Sequence, residues 1–303
     1  MNWFWFAIIA LLCWSGSDFF SKIGCRDAKD KYSHLKMVTA VGVVMGLHAA
    51  YEIFVGGVEI NWNIILTYLP VSLLYILSMA MGYIGLRYIE LSISSPICNA
   101  SGALVAVASL VMGTAEMDHP LQYVAVALAC LGVVSLGIVE ATEDQELRAA
   151  RQEASNYKYA KSWLALALPI AYCALDAAGT FADALVLENL NEDSANVAYE
   201  LTFLFAGVCC FIYTVLIKRQ PLVGKVEGPK YIGALFETAG QFAYIYALAD
   251  TEHVAMSAPI ISSYCVASVL WSRIFLKEKL SWKHYAAIVV TVSGIIIMGV
   301  FDM

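Results

Sequence analysis

Ten times along this chain the sequence runs for about twenty apolar residues with few charges, the length of α-helix that crosses a hydrocarbon layer roughly 30 Å thick. The runs cover approximately residues 3 to 24, 34 to 55, 64 to 86, 91 to 113, 120 to 140, 162 to 187, 194 to 217, 229 to 249, 254 to 275 and 283 to 301. With 60% hydrophobic and only 14% charged residues, the composition lies outside the soluble globular class. The first run, Trp3 to Cys13, has no basic residue before it, so it reads as a retained helix and not a signal peptide. The eight cysteines show no metal-ligand spacing and read as small hydrophobes. The expected fold is an all-α membrane protein of ten transmembrane helices.

The charges sort the loops into two classes. All 18 lysines and arginines fall in alternate loops: Lys22 to Lys36, Arg87, Arg148 to Lys161, Lys218 to Lys230, and Arg273 to Lys283. The positive-inside rule places these loops in the cytoplasm and both termini outside. Loops and helix ends of the other class carry Glu52, Glu59, Glu116, Asp118, Glu188, Glu192, Asp193, Asp250, Glu252 and Asp302. A mouth of that sign concentrates cations, although acids are also what remains once bases are excluded. Residues 142–161 form the longest polar stretch, read as a cytoplasmic linker between a first repeat, 1–141, and a second, 162–303.

The two halves echo each other. Tyr83 to Ile97 aligns with Tyr246 to Ile260, bringing Ser94 onto Ser257 and Pro96 onto Pro259; Gly132 meets Gly294, Gly137 meets Gly299, Trp14 meets Tyr172 and Asp18 meets Asp176. Five helices is an odd number, so consecutive copies insert with opposite orientation. The expectation is therefore two inverted five-helix repeats, with a substrate site near the midplane where they meet.

In Tyr246, Ala247, Leu248, Ala255, Ala258 and Pro259, in Leu276-Lys277-Glu278-Lys279-Leu280-Ser281, and in Gly294 and Gly299, the chain resembles the drug/metabolite transporter superfamily, in its ten-helix EamA-like branch. Trp14, Gly16 and Phe19 extend the likeness to the first half. Lys277 and Lys279 stand where the family signature has glycine and arginine. The resemblance implies a carrier whose helices one, three, four, six, eight and nine surround a central cavity.

Carboxylates deep in a bilayer line cavities or pair, and are functional candidates by default. Asp18 lies near the middle of helix one, Asp176 of helix six and Glu237 of helix eight, with Glu200 two turns inside helix seven. For Asp18, a local ion pair with Lys22 is the alternative. Asp183 shares a face with Asp176, with Gly179 and Thr180 between, and the stripe reads as a water-filled path. Glu237, Gln241 and Tyr244 recur at i, i+4 and i+7. Trp14, Tyr75, Tyr172 and Tyr264 offer aromatic faces at comparable depth, suited to an organic cation. These nine, Asp18, Asp176, Glu237, Gln241, Tyr244, Trp14, Tyr172, Tyr75 and Tyr264, are the expected substrate-binding set; Asp176, Asp18 and Glu200 are the proton-coupling candidates. Pro96 and Pro259 are expected hinges. His48 reads as a packing histidine.

The expected function is secondary active transport of a small cationic or amine-bearing metabolite across a bacterial cytoplasmic membrane, coupled to protons, without a cofactor, metal or nucleic acid. A neutral amphipath such as an amino acid is the alternative substrate. No phosphate-binding loop, H-E-x-x-H or G-x-S-x-G occurs, which makes an intramembrane enzyme the remote reading. A homodimer is compatible with all of this. Single cysteines introduced at either terminus should react with an impermeant reagent added outside, and cysteines in 142–161 should not; labelling of that linker from outside would reverse the orientation.

Overall fold

Inside hydrocarbon every backbone N–H and C=O needs a partner within its own segment, so apolar runs become helices. The computed structural model describes residues 2–25, 30–85, 97–113, 117, 119–142, 163–275 and 280–301. Its main elements are α1 (Trp3–Cys25), α2 (Ser33–Tyr51), α3 (Trp62–Gly85), α4 (Ser101–Met112), α5 (Pro120–Ala141), α6 (Trp163–Leu187), α7 (Glu192–Phe211), α8 (Gly224–Leu248), α9 (Val254–Ser262), α10 (Tyr264–Phe275) and α11 (Trp282–Phe301). Eight stretches among the described residues are long and apolar enough to cross a bilayer. The other two spans are α4, of which 12 residues are described, and α8, which carries Lys225, Glu227, Lys230 and Glu237. The chain is a multi-pass, all-helical membrane protein.

Two expectations on helix limits need correction. The ninth span is not one continuous helix: it breaks at Ser263, whose hydroxyl donates to the Pro259 carbonyl at 2.7 Å. Pro259 has no N–H to give the ladder, and the Ser263 hydroxyl bonds back to a carbonyl that the Ser263 N–H also reaches, at 3.2 Å, a local bond that competes with regular helix. The eighth helix starts at Gly224 rather than near 229, and it carries Pro229 inside it. Pro96, Leu276 to Lys279, and the 142–161 linker beyond Thr142 lie outside the described residues.

The helices pair as an exchange between the halves requires. The α1–α8 contact has its counterpart in α3–α6, α2–α8 in α3–α7, while α2–α7, α4–α9 and α5–α11 pair first-half helices with their own second-half equivalents. Local detail repeats as well. Both α2 and α7 end in a π-helical turn, Glu52–Gly56 and Ile212–Ile217, a form rare outside such places.

Between helices in lipid, small residues allow backbones to approach, and dispersion does the rest. Gly42 and Gly207 face one another across α2 and α7: a Cβ on Gly42 would lie 2.9 Å from the Gly207 Cα. At the α5–α11 crossing, a Cβ on Gly294 would come within 2.6 Å of the Ala125 carbonyl and one on Gly132 within 2.7 Å of the Thr291 nitrogen. Gly132 and Gly294 are the pair that the repeat brings into register. At one end, Lys36 meets Asp30 at 2.8 Å and Glu227 at 3.3 Å, and Lys230 meets Glu227 at 2.8 Å. This buried group joins the start of α2 to α8. Burial works against the Asp30 charge, yet the Lys36 ammonium and the Tyr32 backbone N–H hold its carboxyl below the usual range.

Replacing Gly294 with Val should lower stability by about 1–3 kcal/mol through overpacking, whereas Val300→Ala, at an exposed lipid-facing site, should change it little. Thermal unfolding of the two variants in detergent would show the difference; equal effects would mean that the crossing is loose.

Candidate functional site

The α1–α8 and α3–α6 crossings put aromatic side chains against glycines. A Cβ at Gly240 would collide with the Trp14 indole, and one at Gly82 would lie 3.0 Å from the Tyr172 ring. Tyr75 likewise lies over Gly179, where a Cβ would be 2.9 Å from its ring. Each missing side chain leaves a slot that fixes one aromatic plane. Trp14 and Tyr172, which the repeat aligns, are each seated on a glycine and border one space.

That space is a cavity of about 100 Å³. Its wall includes Trp14, Ser17, Asp18 and Ser21 of α1, Tyr75, Met79 and Tyr83 of α3, and Tyr172, Asp176 and Thr180 of α6. Glu237, Gln241 and Tyr244 of α8, Tyr199 of α7, Ser262 of α9 and Tyr264 of α10 complete much of it, with Cys98, Asn99 and Gly102 at α4. All nine side chains expected from the sequence to meet substrate therefore face one cavity. The helices are those expected, with α7 added.

Neutral hydroxyls hold two of the acids. Ser17 donates to Glu237 Oε2 at 2.7 Å, and Ser101 to Asp176 Oδ2 at 2.7 Å. Trp14 and Tyr244 rings lie 4.9 Å apart, and Tyr264 meets Trp14 edge-on at 6.0 Å. Two donors on the wall, Trp14 Nε1 and Gln241 Nε2, are buried without a hydrogen-bond partner in the protein. Such donors are costly unless a ligand or solvent meets them. Among the described residues the wall has no lysine, arginine or histidine, and no group of histidine, cysteine or carboxylate side chains is arranged to hold a metal.

Three expectations came out differently. Glu200 does not line the cavity; it is fully buried and accepts from His48 Nδ1 at 2.8 Å, with Asn196 also in reach. His48 is accordingly an ion-pair partner and not a packing histidine, with Glu52 3.6 Å from its other ring nitrogen. Asp183 does not extend a water-filled path, because it is fully buried and its carboxylate accepts from Tyr68 at 2.8 Å and Tyr75 at 3.4 Å. Pro259 sits one turn before the break in the ninth span, beside the wall residues Ile261 and Ser262.

Ser17, Ser101 and Tyr199 were not singled out from sequence. The signal present for two of them was adjacency to a named acid, Ser17 beside Asp18 and Tyr199 beside Glu200.

Residues 165–300 match the model of the EamA-like transporter family. A solved crystal structure, titled only as that of a protein, has the same fold over 99% of this chain and 96% of that one, with a TM-score of 0.66 at 13% identity. No curated protein matches the sequence.

His48→Phe should destabilise the protein by about 3 kcal/mol, since it strands the Glu200 carboxylate in the interior. The double variant with Glu200→Gln should regain much of that loss, as a double-mutant cycle of unfolding midpoints would record; strictly additive losses would mean that the two side chains do not interact.

Proposed function

We propose that this chain, whose residues 165–300 match the EamA-like transporter family, is a secondary active carrier exchanging protons for a small cationic or amine-bearing metabolite. The observation that carries the reading is the charge of the cavity wall. Asp18, Asp176 and Glu237 line it with aromatic rings that include Trp14, Tyr172, Tyr244 and Tyr264, and no basic side chain among the described residues accompanies them. A carboxylate out of water is most stable opposite a cation or with a proton bound. Cation and proton thus compete for the same oxygens, and that competition is the coupling. Asp18 and Asp176, at equivalent positions of the two repeats, are the proposed shared site. Aromatic faces add cation–π attraction, worth up to about 2 kcal/mol when desolvated.

The unpartnered donors Trp14 Nε1 and Gln241 Nε2 favour a substrate that also carries an acceptor oxygen. Amino alcohols and zwitterionic amino acids satisfy both requirements, amine toward the acids and oxygen toward the donors. Here the cationic reading and the amino-acid alternative meet in one chemistry. Movement of one repeat against the other, with α9 and α10 bending about Pro259 and Ser263, would open the cavity to either side of a bacterial cytoplasmic membrane.

Choline and ethanolamine should raise the unfolding temperature of the purified protein, and acetate should not. A ligand present at a hundred times its Kd adds about 2.7 kcal/mol. The effect should weaken as pH falls, because protons fill the carboxylates that the amine needs, and Asp176→Asn should remove most of it. Stabilisation by acetate alone, or amine binding that strengthens on acidification, would overturn the reading.

A further inference from the structure

Between the cavity and the C-terminal end of α6 lies a cluster of hydroxyls around one carboxylate. Tyr244 donates to Thr180 Oγ1 at 2.9 Å, Tyr75 and Tyr244 share a short hydrogen bond, and Tyr75 reaches both Thr180 and Asp183 Oδ2 at 3.4 Å. Tyr75, Tyr244 and Thr180 line the cavity, while Asp183 is fully buried behind them. Tyr68 closes the far side, donating to Asp183 Oδ1 at 2.8 Å without touching the cavity.

We propose that Asp183 is a proton-storage site, loaded from and emptied into the cavity through the hydroxyls of Tyr244 and Tyr75. The cluster has two internally consistent hydrogen-bond arrangements. With Asp183 ionised, Tyr75 donates to Oδ2. With Asp183 protonated, Oδ2–H donates to Tyr75, whose own proton turns to Tyr244 or Thr180. One passes into the other when a hydronium in the cavity gives its proton to the Tyr244 oxygen, Tyr244 passes its own to Tyr75, and Tyr75 passes its own to Asp183. One water is released, and each tyrosine keeps one proton. Unloading runs in reverse.

The surroundings leave Asp183 no other counter-charge. From α3 it faces Tyr68 and Tyr75, from α8 Tyr244, and from α7 Tyr199. The neighbouring acid on α7, Glu200, is committed to His48. On α6 itself Asp176 lies two turns back, bonded to Ser101 of α4. In the turn Thr251–His253 that also packs on α6, His253 is bonded to Asp250 at 2.6 Å and stacked on Trp3. Among the described residues no ion pair reaches Asp183. A carboxylate held by neutral hydroxyls alone, fully out of water, gains most from a proton of its own.

This deepens the proton-exchange reading, since a proton held outside the substrate space is not displaced directly by substrate and can remain while the cavity changes sides. It is tested without substrate, by infrared spectroscopy of the reconstituted protein. A protonated-carboxyl band should be present at neutral pH, vanish in Asp183→Asn and shift in frequency in Asp183→Glu; the Glu variant decides the matter alone should the Asn variant not fold. On transfer to D₂O the band should exchange roughly tenfold more slowly in Tyr75→Phe than in Tyr68→Phe, because only Tyr75 stands on the route. A band untouched by either Asp183 variant, or equal exchange in both Tyr variants, would overturn the proposal. Failure of choline to bind would refute the substrate reading and leave this one standing.

Discussion

Hydrocarbon gives a polar backbone nothing to bond to, and every other property of this protein follows from that. The chain becomes helices by necessity, and helices in lipid lose the hydrophobic drive that would press them together in water. What remains is closeness. Gly42 against Gly207, Gly132 and Gly294 across α5 and α11, and Trp14 seated on Gly240 provide it. Other glycines, Gly82, Gly179 and Gly240, hold aromatic rings in fixed planes around the cavity. Architecture and site therefore draw on the same residue type.

Polar groups in such an interior have to be resolved locally, and the structure uses three solutions. Charges pair at an end of the bundle, as with Lys36, Asp30, Glu227 and Lys230. An acid and an imidazole pair within it, at Glu200 and His48. Near the centre, Asp176, Glu237 and Asp183 accept hydrogen bonds from serine and tyrosine hydroxyls. The third is the costliest, and it is confined to the cavity and its immediate neighbour, where a transported charge would find its partners.

Much of this was legible in the sequence, because bilayer thickness converts directly into residue count and buried acids stand out against apolar neighbours. The i, i+4, i+7 spacing of Glu237, Gln241 and Tyr244 was enough to put all three on one wall. Repeat register paired Trp14 with Tyr172, and both line the cavity. What stayed hidden depended on partners far along the chain: His48 and Glu200 are separated by 152 residues, and Ser17 and Glu237 by 220. No spacing rule reaches that far. The stripe of Asp176, Thr180 and Asp183 was correctly placed on one helix face, yet a face can pass from open cavity into packed tyrosine within two turns, and only the positions of Tyr68 and Tyr75 decide where. The break at Ser263 was similarly silent, since the same bond from a hydroxyl to a carbonyl one turn earlier occurs at Thr202, Thr238 and Ser293 inside unbroken helices.

The crossed pairing of the halves has a consequence for how the molecule is made. Helix α1 finds its main neighbour in α8, and α3 finds its own in α6, so the early helices enter the bilayer long before the surfaces they are shaped for exist. During synthesis, Ser17 and Asp18 must sit beside lipid, water or an insertion factor until more than two-thirds of the chain has followed. Each half is an incomplete object, its best surfaces addressed to a partner not yet translated. Assembly is then a late closing of two interlocked hands, and not the stacking of one finished bundle upon another.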